Sequence, residues 1–250
     1  MSRFIGIIPA RYASTRFPGK PLAMIGGKTM IERVYTRVAE ILPDVAVATD
    51  DDRIAREVQS FGGSVVMTST EHRSGTDRVR EAFHNLKSEA EVIINIQGDE
   101  PFIAAEQLRV LMECFDDPTV DIASLVRHFD PKRPFAELED PNTPKVVLND
   151  YNDALYFSRS VIPFVRNYPQ EQWPEHAQYY THVGLYAYRA DVLDKISTLP
   201  QSPLEIAESL EQLRWLQAGY KIRMAITNAP TIGIDTPADL EAANRFLLQQ

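Results

Sequence analysis

Cysteine is nearly absent. Cys114 is the only one in 250 residues, so no internal disulfide can form and no typical cysteine-based zinc site can be assembled. It lies in the apolar run Leu111–Phe115, which has helical character, and reads as a buried, inert thiol. The five histidines, His72, His84, His128, His176 and His182, show no zinc-like spacing. No apolar run approaches the ~20 residues that cross a bilayer, which excludes membrane insertion. The short run Phe4–Ile8 is too brief for a secretory signal core, so a cytoplasmic location is expected. Positive charge is also scarce: 26 Lys and Arg stand against 35 Asp and Glu, a formal charge of −9. A nucleic-acid binder normally carries a basic face, and that class is set aside. An anionic small ligand is not, because a few local cations suffice to hold one.

What is present is ordinary for a globular protein, with 44% hydrophobic and 24% charged residues. Short apolar runs at Phe4–Ile8, Val45–Thr49, Ser64–Thr68 and Val92–Ile96 read as strands. Between them, helical periodicity runs from Met30 to Leu42, over Arg53–Phe61 and over Gly75–Leu86. Asp50–Asp52 put acids where the second of these helices begins. Strands alternating with helices predict an α/β fold with a mostly parallel, doubly wound sheet. The second half has more strands than helices: Ile122–His128, Lys145–Asn149, Ala154–Ser158 and Val183–Tyr188. Two helices (Asp191–Leu199, Leu204–Ala218), a strand (Lys221–Thr227) and a last helix (Pro237–Leu248) follow. The segment Arg166–Tyr180 is the candidate for a mobile loop or a subunit contact, with a plain surface loop as the alternative.

Ligands of open α/β sheets bind outside the carboxyl ends of the strands. The segment there, Pro9–Leu22, carries Arg11, Arg16 and Lys20 together with Ser14 and Thr15. Such a loop can cradle phosphate oxygens with backbone N–H groups while its cations neutralise charge. Two standard motifs do not fit it. Gly19-Lys20 would need glycine at position 14, which is Ser, and Gly27-Lys28-Thr29 would need it at position 22, which is Leu. G-x-G-x-x-G is missing too, which disfavours a nicotinamide dinucleotide. So is G-x-S-x-G, the hydrolase elbow.

The segment IPARYASTRFPGKPL resembles the signature of the 3-deoxy-manno-octulosonate (Kdo) cytidylyltransferases. The likeness continues through VATDD (47–51), SGTDR (74–78), NIQGDEP (95–101), ALYFSR (154–159), SPLE (202–205), LEQLR (210–214) and IDTPADLE (234–241). The sialic-acid and isoprenoid-pathway cytidylyltransferases carry differently composed first loops. The resemblance implies a Rossmann-like nucleotidyltransferase fold in one domain over 1–250. About 1–120 would be its nucleotide half, about 121–230 its sugar and dimer-contact half, and 231–250 the metal aspartate and closing helix. It further implies transfer of a cytidylyl group from CTP to Kdo for lipopolysaccharide synthesis, Mg²⁺ as cofactor and a homodimer.

Nucleotidyl transfer depends on positioning and on neutralising phosphate charge, for which Mg²⁺ is the usual agent. Asp99 closes an apolar strand, where a ligand to such an ion belongs. Asp235 precedes Thr236-Pro237 and on its own is read equally well as a helix N-cap. The resemblance implies that both bind metal. Arg73-Ser74-Gly75-Thr76 offers hydrogen-bonding groups and a close backbone approach at a helix start. It can read a pyrimidine edge, cap the helix, or do both. With Ala10, Arg11, Ser14, Arg16 and Lys20 it makes up the expected nucleotide site, in which Arg11 and Lys20 act on the phosphates. For the acidic sugar, the family-like motifs supply Arg78, Gln97, Arg159, His182, Glu211 and Gln212. For Arg78 and Arg159 a surface cation is an equal reading, and for His182 a structural histidine is the alternative. A cytidylyltransferase for a close analogue such as 8-amino-Kdo, or a nucleotide-sensing module without catalysis, would share most of these features.

Overall fold

The structure, a computed structural model, describes residues 2–13, 17–72, 74–230, 233–234 and 236–247, the side chain of Phe246 apart. In chain order it comprises β1 (Phe4–Ala10), β2 (Met24–Ile25), β3 (Lys28–Thr29), α1 (Met30–Ala39), β4 (Val45–Thr49) and α2 (Asp52–Ser60). Next come β5 (Val65–Met67), α3 (Gly75–Asn85), β6 (Val92–Asn95), α4 (Ala105–Glu113), β7 (Ile122–His128) and α5 (Phe135–Glu139). Then follow β8 (Lys145–Leu148), β9 (Ala154–Ser158), α6 (Trp173–His176), β10 (Tyr180–Arg189) and α7 (Ala190–Ser197). The last are α8 (Pro203–Glu208), α9 (Gln212–Gln217), β11 (Ile222–Ile226) and α10 (Pro237–Leu247). None of the helices is long and apolar enough to cross a membrane among the described residues.

The chain forms two compact units. The first takes Met1–Leu108, Ala187–Ser197 and Ala229–Gln250. Its strands lie in the order β6-β1-β4-β5, all parallel. Ile7, Ile8, Val47, Ile93 and Ile94 are fully buried, as expected of a parallel strand covered on both faces. Each such side chain contributes about 1.5–3 kcal/mol relative to exposure. Asp51 caps α2 by accepting the Arg53 N–H at 2.9 Å, which accounts for the acids seen there in the sequence. A two-residue hairpin was not anticipated within the Pro- and Gly-rich stretch. Gly26 and Gly27 take φ of 53° and 81° and let β2 turn directly into β3. A satellite apolar cluster of Ile25, Met30, Ile234 and Ala243 forms beside that hairpin, with Phe17, Phe102, Leu240 and Leu247 packed on it.

The second unit takes Arg109–Tyr186 and Thr198–Asn228. There β11 pairs with β7 in parallel, while β10 with β8 and β8 with β9 are antiparallel. This is the smaller antiparallel region expected in the second half. The segment Arg166–Tyr180 is not a plain surface loop. It contains the short helix α6, and its Trp173 and Tyr179 are buried with Phe129 and Leu138. Cys114 opens a 3-10 turn after α4. It is partly buried, and burial pushes its thiol up to about 11, consistent with inertness.

The run Leu204–Ala218 reads as one helix in sequence but is two, α8 and α9. Ser209 takes the left-handed conformation, φ 51°, and the carbonyls freed at the end of α8 are taken by a distant guanidinium. Arg159 donates through Nε to the Glu208 oxygen at 2.6 Å and through Nη2 to that of Ser209 at 3.2 Å. At the other end of α8 a reciprocal cap holds: Ser202 Oγ accepts the Glu205 N–H at 3.2 Å, and the Glu205 carboxylate accepts the Ser202 N–H at 3.3 Å. Replacing Ser202 by Ala should cost about 1 kcal/mol and lower the thermal midpoint by about 2–4 °C. An unchanged midpoint would show that the cap contributes nothing.

Candidate active site

The first unit brings three separate chain segments together at the ends of its parallel strands. The loop after β1 doubles back on itself, because the Gly19 N–H donates to the Tyr12 oxygen at 3.0 Å. Gly19 sits at φ 72°, and a Cβ there would lie 3.1 Å from the Tyr12 ring, so both the turn and the packing require glycine. That turn sets Lys20 at the head of a 3-10 turn with Pro21 inside it. The Arg53 guanidinium, fixed by Asp51 at 2.9 and 2.6 Å, stacks 3.3 Å from the Tyr12 ring centre. Ala10 is buried and Arg11 is exposed at the strand end. Ser14 and Arg16, both expected to contact nucleotide, lie outside the described residues, as does Arg73.

The second segment follows β6. A Cβ on Gly98 would approach the Pro9 carbonyl oxygen to 3.0 Å, so glycine allows this turn to run close against the end of β1. Asp99 then meets Lys20, with Nζ donating to Oδ2 at 2.6 Å. Both side chains are mostly shielded, 16% and 29% exposed. The third segment arrives at Ile234, whose N–H donates to the Asp99 carbonyl oxygen at 3.0 Å. Asp235, the next residue, lies outside the described residues. Beside Asp99, burial foremost and the Asp99 charge second push the Glu100 carboxyl up to about 7. Nothing in the sequence singled out Glu100, whose shift comes from its surroundings and not from its type.

The start of α3 joins these segments within the first unit. Ser74 Oγ accepts the Asp77 N–H at 3.1 Å, so the capping reading of that serine holds geometrically. A Cβ on Gly75 would lie 3.6 Å from Pro9 and 4.0 Å from the Asn95 amide nitrogen. Thr76 is buried. The turn 74–76 therefore abuts the ends of β1 and β6. Asn95 is buried, and its Oδ1 finds no donor among the described residues. Gln97 sits in the turn that carries Asp99, its oxygen accepting the Glu100 N–H at 3.3 Å.

Asp99 also suits a hard divalent cation. Its Oδ2 holds Lys20 at 2.6 Å, and a carboxylate has a second oxygen that can ligate a cation. A site using one or two carboxylates plus phosphate oxygens and water suits Mg²⁺.

The residues expected to meet the sugar are dispersed. Arg78 belongs to the first unit and is buried there, bound to Asp50 and Thr68 at 2.7 and 2.6 Å. In the second unit Arg159 spends all three nitrogens on carbonyls, the third being Pro141 at 2.7 Å. His182 faces Ser124 Oγ at 3.0 Å and packs edge-on to Phe157, with ring centres 5.2 Å apart. Burial pushes it down to about 4, so the ring is neutral at pH 7. Tyr186 links His182 to Trp215 through ring contacts at 5.3 Å on either side. Trp215 shares α9 with Gln212, which is buried with its Nε2 unpartnered among the described residues. Glu211 precedes α9 and pairs with Arg214.

A protein-family model described as cytidylyltransferase matches residues 5–222. A 3-deoxy-manno-octulosonate cytidylyltransferase of Bacteroides thetaiotaomicron is 61% identical over 98% of each chain. One from Escherichia coli is 47% identical over 100% of this chain and 98% of its own. Among solved structures, a CMP:2-keto-3-deoxy-manno-octonic acid synthetase complexed with CTP superposes with a TM-score of 0.90. It is 48% identical over 99% of both chains. A glucose-1-phosphate thymidylyltransferase from Bacillus anthracis, 18% identical with a TM-score of 0.64, shares the fold.

The raised Glu100 carboxyl carries a pH consequence. Its folded value near 7 exceeds its ordinary 4.5, so the native state holds the proton more tightly than the unfolded chain. Its contribution to stability is full below pH 4.5 and is lost as pH rises towards 7. Glu100→Gln, which mimics the protonated form, should therefore gain stability relative to the parent between pH 5 and pH 8. Urea unfolding in EDTA at both pH values measures this, and an equal difference at the two would contradict it.

Proposed function

The chain belongs to the 3-deoxy-manno-octulosonate cytidylyltransferase family, and from that premise we propose that it transfers a cytidylyl group from CTP to Kdo. The anomeric hydroxyl of the sugar attacks the α-phosphorus, its proton is lost, and the bond to the β-phosphate breaks to release pyrophosphate. The observation that carries this reading is the contact of Lys20 with Asp99 at 2.6 Å. It joins the basic loop to the acidic turn at the ends of parallel strands, beside the chain that leads into Asp235. Lys20 and Arg11 would neutralise the triphosphate, and the 74–76 turn would read the base. We assign Mg²⁺ to Asp99 and Asp235, where it would offset charge on the phosphate oxygens. For the acidic sugar we retain Gln97, His182, Glu211 and Gln212. A neutral imidazole and an amide with an unused N–H are hydrogen-bonding groups suited to hydroxyls and a carboxylate. Arg78 and Arg159 have their guanidinium groups committed elsewhere.

Purified protein with Mg²⁺ should release pyrophosphate from CTP in the presence of Kdo and far less with other nucleoside triphosphates. Asp99→Asn should lower kcat at least ~100-fold with the fold intact. No release above the sugar-free control would refute the assignment. Greater release with 8-amino-Kdo would shift it to that analogue.

We also propose a cytoplasmic homodimer. The second unit leaves Tyr151, Leu155, Phe164 and Ile206 more than half exposed, at 75%, 58%, 73% and 64%, and a second copy is the occupant we assign to these apolar side chains. Sedimentation at micromolar concentration should give a dimer, and Phe164→Glu with Ile206→Glu should give monomer. A monomeric parent protein would remove the proposal.

A further inference from the structure

We propose that Arg78 is a positioning residue for nucleotide recognition: by bridging Asp50 and Thr68 it holds the Ser74–Thr76 turn in place, and Glu81 secures the chain leading into that turn. This rests on the reading that the first unit binds CTP. The side chain of Arg78 is 5% exposed, and its two terminal nitrogens point at different parts of the fold. Nη2 donates to Asp50 Oδ2 at 2.7 Å, just beyond β4, and Nη1 to Thr68 Oγ1 at 2.6 Å, just beyond β5. Thr68 is itself fastened to β4, its N–H and hydroxyl donating to the Thr49 oxygen at 2.9 and 3.2 Å. The planar fork of a guanidinium meets both partners at once, which a lysine ammonium on its flexible stem cannot reproduce.

One helical turn separates this anchor from the nucleotide-reading turn, the Arg78 N–H donating to the Ser74 oxygen at 3.4 Å. Further along α3, Glu81 accepts the Ser69 N–H at 2.9 Å and pairs with His72. Asn85 donates to the Met67 oxygen at 3.2 Å. Arg78, Glu81 and Asn85 thus share one face of the helix, and that face grips the chain from Met67 to His72 immediately ahead of the turn. Groups that read a base must sit within a fraction of an ångström of their place, and here both sides of the turn are tied to the same helix.

The test is steady-state pyrophosphate release by the full chain, varying CTP at saturating Kdo and then Kdo at saturating CTP. Calorimetric titration of CTP and a thermal midpoint accompany each variant. Arg78→Gln should raise KM and Kd for CTP about tenfold while KM for Kdo moves less than about twofold. Arg78→Lys should recover part of the loss, and Glu81→Gln should raise KM for CTP about threefold. If Arg78→Gln does not fold, the Lys and Glu81 variants decide alone. A rise confined to KM for Kdo would make Arg78 a sugar contact and overturn the proposal. A lowered midpoint with both constants unchanged would overturn it as well. If the parent protein releases no pyrophosphate, the functional reading fails separately, and the CTP titrations still decide whether Arg78 positions the nucleotide.

Discussion

The contact between Lys20 and Asp99 joins residues 79 apart in sequence and depends on the basic loop and the acidic turn being held close together. An ion pair that water partly reaches contributes only about 0–1 kcal/mol, so it marks the geometry and does not create it. The geometry comes from apolar packing. Phe17 lies three residues before Lys20, Phe102 three after Asp99, and Ile234 at the third approach to the site. All three pack in the cluster around Ile25, Met30 and Ala243. Each segment brings one apolar anchor to a common point, and the polar residues between the anchors are thereby held close together. Gly98 permits the last step, since any side chain there would press on the Pro9 oxygen.

An acidic protein must gather positive charge locally if it is to meet a polyanion, and here the cations are held by pairing. Asp51 fixes Arg53, which stacks on Tyr12 and stiffens the loop from outside. Asp99 holds the Lys20 ammonium at 2.6 Å. The neighbouring Glu100 would add a second negative charge there, but its burial favours the protonated form up to about pH 7. The negative charge at the turn is thus concentrated on Asp99, the carboxylate assigned to metal.

The parallel half of the fold was legible because strands covered on both faces appear as unbroken apolar runs, and β1, β4 and β6 are such runs. Lys20 and Asp99 were legible for a related reason: in this fold, residues just past a strand end are where ligands meet the chain. The hairpin at Gly26-Gly27 was hidden within a stretch dominated by loop residues. The break between α8 and α9 left no local trace, because the guanidinium that takes the freed carbonyls, Arg159, stands 49 residues away from Glu208. Arg159 and Arg78 were placed by motif, and a motif does not say where a guanidinium points. Their partners are carbonyls, an aspartate and a threonine hydroxyl brought near only by the tertiary fold. Trp173 and Tyr179 were similarly obscured. Prolines around them suggested a loop, yet rings of that size are buried wherever the chain can fold over them.

Placing an arginine on the buried face of α3 instead of an apolar residue has a physical cost. A buried ion pair is often no more stabilising than hydrophobic side chains of equal volume, since desolvation offsets the attraction. What it supplies is direction. Apolar side chains under α3 would let the helix slide or rotate slightly at little cost, because dispersion contacts are individually weak and non-directional. A guanidinium bonded at 2.7 Å to Asp50 and 2.6 Å to Thr68 resists both motions, because either one lengthens a charged hydrogen bond in a poorly solvated place. The helix is then fixed in rotation by Arg78, in its approach to the preceding chain by Glu81, and at its start by the Ser74 cap. These three constraints act within two turns of helix, at whose start Gly75 runs close to Pro9 and Asn95.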